Sequence, residues 1–302
     1  MNIVIFGGNG FIGRHLHKLL KKNHKVNVYG NKSFSNKLKS SYIKYSKKNF
    51  VKIIKKKNPE VIFFLSGNSY PINSLNDELY DFKSNNLILQ QLLSAMVLTE
   101  FKGRIIYSSS IAVYGPILAN NKSIVNEKNN LNPSSYYGLS KSFAEQQIKF
   151  FSIKYNLKAT VLRICSVYGP GLNRQIIYEL IKKLLGNKEK IYLQGNYKDS
   201  RQFIYVSDCA KIMQKLINLN LRENFSIYNL AQGKKISINK ISSIINSLLK
   251  KKTKVYFANK IIQPNLPELC NKKIKKLLRL KYFVPIEIGL KKIIKSLQKN
   301  NA

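Results

Sequence analysis

The sequence predicts an α/β protein built on a doubly wound parallel sheet. Three observations predict it. A short apolar segment, Ile3-Val4-Ile5-Phe6, runs directly into Gly7-Gly8-Asn9-Gly10-Phe11-Ile12-Gly13. An amphipathic stretch with Leu16, Leu19 and Leu20 then leads to a second apolar segment, Val26-Asn27-Val28-Tyr29. The same alternation of strand-like and helix-like stretches continues along the chain, as expected of βαβ units around a parallel sheet.

The glycines carry the first functional expectation. After a strand, Gly7 permits the tight turn into a helix, Gly10 lets backbone approach a pyrophosphate, and Gly13 lets helix and strand pack closely. The spacing is weak evidence in mid-chain, but the strand before it and the helix after it are the context that a dinucleotide-binding loop requires. Asn9, Phe11 and Ile12 fall inside this loop and are candidate cofactor contacts.

A second constellation adds chemistry. Tyr137-Gly138-Leu139-Ser140-Lys141 sets a phenol and an ammonium four residues apart, on one face of a helix. A phenol with an ordinary pKa of about 10 is a poor base at neutral pH. A neighbouring positive charge favours its ionised form, so the expectation is that Lys141 lowers Tyr137 and the pair exchanges a proton with a substrate hydroxyl. Upstream, Ile105-Ile106-Tyr107 ends in Ser108-Ser109-Ser110. Ser110 thereby falls at the carboxyl end of a strand, where open α/β sheets bind their ligands.

With the glycine loop, the serine-tipped strand and the Tyr/Lys pair together, the chain resembles the extended short-chain dehydrogenase/reductases of the nucleotide-sugar epimerase/dehydratase group, relatives of UDP-galactose 4-epimerase. The resemblance covers nearly the whole chain. Pro59 to Gly67 resembles the fourth strand and its cofactor-facing end, which implies cofactor contacts at Leu65 and Ser66. Asn85 falls where the family has an asparagine that helps position the region of the catalytic tyrosine, and it is counted with the cofactor-site residues. Leu162 to Gly171 matches the segment leading into the substrate lobe. Gly195 to Asp208, which contains Arg201, matches the family's phosphate-binding stretch.

What the resemblance implies is a Rossmann-type fold. Residues 1–165 form the dinucleotide-binding domain, with a later part, about 203–250, returning to it. Residues 166–202 and 255–302 form the substrate lobe. It implies Ser110, Tyr137 and Lys141 as the catalytic set, with Tyr137 and Lys141 also touching the cofactor, and Ser110, Ser166 and Arg201 on the substrate. Its dehydratases carry an Asp-Glu pair directly after the catalytic serine or threonine. This chain has Ile111-Ala112 there, which disfavours elimination and leaves hydride transfer at a sugar carbon, C4 first. A 4-epimerase and a 4-ketoreductase share that half-reaction. Ser166 stands where the epimerases tend to have an asparagine near the sugar diphosphate, a departure that weakens the case for UDP-galactose and leaves the sugar open.

The cofactor expectation rests on the residues just after the second strand. NAD sites usually place an acid there for the ribose 2′-hydroxyl. This chain has Gly30-Asn31-Lys32-Ser33 and no acid nearby. Lys32 and Ser33, with Arg14 from the helix start, would suit a 2′-phosphate, so the expectation leans to NADP over NAD and hence to a ketoreductase over an epimerase.

Composition bounds the remaining classes. The formal net charge is +39, from 53 Lys+Arg against 14 Asp+Glu. Such a charge attracts nucleic acid or anionic surfaces. Here the excess is almost wholly lysine, spread along the chain with abundant asparagine and isoleucine, and no RNA-binding pattern of interleaved aromatics is read in the sequence. Specific nucleic-acid binding is not expected, and a non-catalytic NADP-binding or basic RNA-binding relative is the alternative function. Three scattered cysteines and three histidines, His15, His17 and His24, give neither a disulfide framework nor metal-ligand spacing. No apolar run is long enough to span a bilayer, and the amino terminus enters its strand at once, leaving no room for a signal peptide. A metal-free cytoplasmic homodimer acting on a nucleotide-diphosphate sugar is the expectation. The dimer would use the helices bearing Leu87, Leu92 and Leu93 and bearing Tyr137 and Lys141.

Arginine is scarce, so its positions are informative. Arg201 is the candidate grip on a diphosphate, because a guanidinium offers a planar fork that lysine lacks. Arg163 suits a buried ion pair and a functional role equally. Arg174 points either into the sugar pocket or to solvent.

Overall fold

The computed structural model describes residues 1–30, 41–69, 77–116, 124–186, 188–194, 199–219, 223–258 and 266–301. Strands β1 (Asn2–Phe6), β2 (Lys25–Gly30), β3 (Ser41–Tyr42), β4 (Val61–Phe64), β5 (Arg104–Ser110), β6 (Lys158–Ile164) and β7 (Phe225–Leu230) form one sheet. Its order is β3-β2-β1-β4-β5-β6-β7, and every pair in it is parallel.

The continuous apolar runs follow from burial on both faces. Within β1, Ile3 and Ile5 enter one core while Val4 and Phe6 enter the other. In β4 the same alternation sends Phe63 to the first core and Ile62 and Phe64 to the second. Helix α1 (Phe11–Leu20) supplies Leu16 and Leu20 to the first core. The second core is closed by α2 (Lys47–Lys57), by α4 (Ile88–Leu98) and by the long α5 (Tyr136–Tyr155). A short α3 (Glu78–Phe82) precedes α4, joined to it by a π-helical turn, Lys83–Leu87.

Leu92 and Leu93, expected on a dimer face, are buried in this second core instead. The apolar face left in solvent is carried by Leu87, Leu98, Leu139, Phe143, Phe150 and Ile153.

A third core lies outside the large sheet. It joins α6 (Gln175–Leu185), α8 (Ile238–Leu249) and the C-terminal α10 (Ile286–Asn301) with the strand Phe203–Tyr205 and with Tyr168. Two further helices, α7 (Val206–Ile217) and α9 (Lys272–Leu278), pack on the first core. In α10 the residues Ile286, Leu290, Ile293 and Ile294 are buried while Lys291, Lys292 and Lys295 are exposed. This amphipathic helix buries its apolar side in its own protein. Among the described residues no helix is long and apolar enough to cross a membrane.

The sheet's direction of winding reverses between β1 and β4. Ligands of open α/β sheets bind at such a switch point, outside the carboxyl ends of the strands. The glycine loop follows β1 there, and Leu65 and Ser66 follow β4.

Candidate active site

The loop after β1 is tight. Gly7 has φ +84°, a left-handed value that disfavours a side chain. A Cβ on Gly7 would fall 2.6 Å from the Ser66 nitrogen, and one on Gly13 would fall 2.4 Å from the Gly7 carbonyl oxygen. Gly10 caps α1 with no side-chain hydrogen bond and no acid in the first turn. Helix geometry leaves the first-turn N–H groups of Phe11, Ile12 and Gly13 without partners inside the helix, which is a cradle for an anion. Asn9 adds a buried Oδ1 with no protein partner. These features fit a dinucleotide pyrophosphate.

The floor of that loop has an unforeseen member, Tyr45. Its hydroxyl accepts from the Gly7 N–H at 3.1 Å and bonds to Ser66 Oγ at 2.8 Å. Burial pushes its phenol up to about 12, so it stays a neutral structural tie. Lys32 and Ser33 lie outside the described residues. Arg14 does not turn toward the end of β2. Its Nη2 donates to the Gly171 carbonyl at 3.2 Å, across on the segment that follows β6.

Tyr137, Lys141 and Ser110 come together at the ends of β5 and α5. Ser135 starts α5 by accepting from the Gly138 N–H at 3.1 Å, which sets the first turn carrying Tyr137. Ser110 ends β5 and caps a 3-10 turn, Ile111–Tyr114, accepting from the Ala112 N–H at 3.2 Å. Its hydroxyl is near enough to the Tyr137 phenol to favour the ionised form. Lys141 is buried and donates to the Tyr107 hydroxyl and the Ser108 carbonyl, each at 3.1 Å. Its Nζ stands 5.9 Å from the centroid of the Tyr137 ring.

The electrostatics differ from the sequence expectation. Burial is the largest influence on Tyr137 and pushes its phenol above the ordinary value. The Ser110 hydroxyl and the charge of Arg174 act in the opposite direction, and Asp81 raises the phenol further. Lys141 therefore does not produce a net lowering, because desolvation of the phenolate outweighs nearby positive charge. Lys141 is itself pushed down to about 8 by burial, against the opposing charges of Asp81 and Glu145. Arg174 resolves toward the site: it starts α6 and donates to Ser69 Oγ at 2.7 Å.

Asn85 lies in the π-helical turn and is fully buried. Its Nδ2 donates to Ser140 Oγ at 3.2 Å, placing it beneath the turn between Tyr137 and Lys141. Asn86, its neighbour, donates to the Ser140 carbonyl at 2.8 Å. π-helical turns often sit at functional sites, and this one aims two adjacent amides at α5.

Ser166 begins a short strand, Ser166–Tyr168, that pairs with Phe203–Tyr205, with Ser166 opposite Phe203. Arg201 lies two residues before Phe203, on a strand paired to Ile236–Ser237. The structure thus brings Ser166 and Arg201 to one neighbourhood. Burial lowers the Arg201 guanidinium, opposed by Asp199 and Glu179.

Sequence reasoning missed Asp81, Tyr107 and Glu145. The signal available was scarcity: with 14 acids in 302 residues, an acid within a helical apolar pattern is as informative as an arginine. Asp81 precedes Asn85 by four residues, one helical turn.

The family model for the NAD dependent epimerase/dehydratase family matches residues 3–231, well over half of the chain. The chain belongs to that family. It is an enzyme of the extended short-chain dehydrogenase/reductase type. A putative UDP-glucose 4-epimerase of Methanocaldococcus jannaschii is 32% identical over 254 residues, 80% of this chain and 81% of that one. Among solved structures, the UDP-glucose 4-epimerase of Thermotoga maritima with UDP-glucose has a TM-score of 0.89 at 23% identity, covering 100% of both chains. The UDP-N-acetylglucosamine 4-epimerase of Methanobrevibacter ruminantium, in complex with UDP-N-acetylmuramic acid, has a TM-score of 0.84 at 26% identity, covering 99% of this chain and 98% of that one.

Proposed function

We propose that the protein is an NAD-dependent epimerase acting at C4 of a nucleoside-diphosphate sugar. The observation that carries this is Lys141, buried and fixed by Tyr107 and Ser108, with its Nζ 5.9 Å from the centroid of the Tyr137 ring, next to the strand tip that ends in Ser110. The family's cofactor and the 4-epimerase relative at 32% identity support the same reading.

When bound, an oxidised nicotinamide dinucleotide supplies the hydride acceptor and a positive charge that favours the phenolate. Tyr137 would take the proton from the C4 hydroxyl as C4 loses its hydride, and return it to the same oxygen once the keto sugar has turned and regained hydride on its other face. Ser110 holds the C4 oxygen by hydrogen bond. Lys141, fixed by Tyr107 and Ser108, keeps positive charge beside the phenol. Arg201 grips the diphosphate, with Ser166 on the sugar-nucleotide side. The glycine loop, Leu65 and Ser66 hold the dinucleotide, and the smaller lobe holds the nucleotide sugar. The face bearing Leu98, Phe143, Phe150 and Ile153 joins two copies as a homodimer.

Of the three residues suited to a 2′-phosphate, Arg14 alone lies among the described residues. Lys32 and Ser33 lie outside them, and Arg14 turns to Gly171. The missing acid after β2 still favours a second reading, an NADPH-dependent 4-ketoreductase. One experiment separates them: nucleotide sugars are incubated with wild type and with Tyr137→Phe, with no added cofactor, with NAD, or with NADPH. Interconversion of C4 epimers without net redox change, falling by about 10²–10⁴ in Tyr137→Phe, is the expected result. Net consumption of NADPH with a keto sugar assigns the reductase instead, and full turnover in Tyr137→Phe removes the mechanism.

A further inference from the structure

Asp81 is a fully buried carboxylate under the catalytic helix. Its Oδ2 accepts from Ser140 Oγ at 2.6 Å, and its Oδ1 accepts from Asn68 Nδ2 at 2.6 Å and from Asn85 Nδ2 at 3.2 Å. All three partners are neutral. A buried charge held only by neutral donors is costly unless the surrounding field favours it. The field it meets is that of the proton-transfer pair, since Ser140 sits between Tyr137 and Lys141 on α5, its Oγ also lying 3.0 Å from the Tyr137 carbonyl oxygen. Asp81 therefore reaches, through one hydroxyl, the turn that carries both residues.

We propose that Asp81 is a positioning residue for the Tyr137/Lys141 pair: its hydrogen bond to Ser140 fixes the turn of α5 that carries both residues, and its buried carboxylate sets the field around them. This rests on the reading of Tyr137 and Lys141 as the proton-transfer pair.

The other groups facing the pair do not replace it. From β5, Tyr107 is a buried phenol held well above its ordinary value by burial, so it stays neutral, and Ser108 offers only a carbonyl. From α5, Glu145 is already held by Arg163. From the start of α6, the charge of Arg174 acts on the Tyr137 phenol and lowers it. Of the opposing charges on Lys141, Asp81 is the larger and Glu145 the smaller. Asp81 likewise raises the Tyr137 phenol. Removing its charge should move both members of the pair toward lower pH.

The test reads Tyr137 directly and requires no substrate. Tyrosinate absorbance is titrated in the full-length enzyme, and the curve of each matching Tyr137→Phe variant is subtracted, so that only the phenol of Tyr137 remains. Asp81→Asn should shift its midpoint down by about half a unit or more. Asp81→Leu, which is neutral and requires no donor, should shift it the same way and carries the test if the amide does not fold. Ser140→Ala, which keeps the charge, should leave the midpoint near its wild-type value while lowering turnover. An unchanged midpoint in the neutral variants, or an equal shift in Ser140→Ala, overturns the role of the charge. Wild-type protein that turns over no nucleotide sugar would count against the proposed function alone, because the titration is read without turnover.

Discussion

Arg163 on β6 and Glu145 on α5 form a buried two-point ion pair. Nη2 lies 2.7 Å from Oε2, and Nε lies 3.1 Å from both carboxylate oxygens. Ser109 donates to the same carboxylate at 2.5 Å, and Arg163 Nη1 donates to the Tyr114 hydroxyl at 2.8 Å. Tyr114 in turn donates to Asn229 on β7 at 2.8 Å. The pair thus ties β5, α5, β6 and β7 together one residue from Ser110. Arg163 is structural, and its contribution to chemistry is to hold Ser110 and α5 in register.

The first prediction comes from the pair's burial. Removing one partner leaves the other as an uncompensated charge, which costs about 3–5 kcal/mol. Arg163→Met should therefore lower unfolding free energy by that order in urea denaturation. Glu145→Leu with Arg163→Met should recover part of the loss, because no buried charge remains. A loss under about 1 kcal/mol in the single variant would mean that the pair is hydrated in solution.

What was legible in the sequence was local. The glycine loop, the Ser110 strand tip and the Tyr137/Lys141 spacing each lie within a few residues of chain, and the periodicity around them fixes their elements. Arg163 was not decidable, because its partner is on a helix 18 residues earlier and nothing in Val161-Leu162-Arg163-Ile164 says which face meets it. Asp81 was illegible for the same reason, since its link to Ser140 spans 59 residues. Leu92 and Leu93 have the spacing of an amphipathic face, and only the fold shows that this face turns inward to β4 and β5. The sign on Tyr137 failed on burial, which a motif does not report.

The glycine loop offers a second prediction. A Cβ on Gly13 meets backbone at 2.4 Å and 2.6 Å, whereas one on Gly10 meets only the Gly7 carbonyl oxygen at 3.2 Å. Gly13→Ala should therefore destabilise the folded protein and also weaken dinucleotide binding. Gly10→Ala should keep a melting temperature within a few degrees of wild type while weakening NAD affinity at least ~10-fold, about 1.4 kcal/mol, by pushing the pyrophosphate from the helix start. Calorimetric titration with thermal melts checks both. Unchanged affinity in Gly10→Ala would place the pyrophosphate elsewhere.

Assembly gives a third. Leu98, Phe143, Phe150 and Tyr155 line a groove of about 610 Å³ between α4 and α5, and Ile153 is exposed beside them. Twofold dimers are the commonest soluble oligomers, and an apolar face of this kind marks an interaction site. Light scattering should give twice the chain mass for wild type and a value near 34.8 kDa for Phe150→Asp with Ile153→Asp. A wild-type monomer at micromolar concentration would refute the interface.

The last prediction concerns Lys141 and pH. Its folded-state ammonium is pushed down from 10.5 to about 8 by burial. Between those values the unfolded chain holds a proton at this lysine that the folded protein has released. Stability contributed by this group therefore rises with pH across that window, with a slope of at most about 1.4 kcal/mol per pH unit. The buried phenols and the buried thiols of Cys165 and Cys209 act in the opposite sense, and Lys235 in the same sense. Each is common to wild type and variant and cancels in their difference. Lys141→Met lacks the titration. The unfolding free energy of wild type minus that of Lys141→Met should climb between pH 8 and pH 10 and be flat below pH 7. Turnover should run the other way, falling above about pH 8 as the ammonium beside Tyr137 is lost. A difference that is flat from pH 8 to 10, or that falls, would show that Lys141 keeps its proton in the folded enzyme.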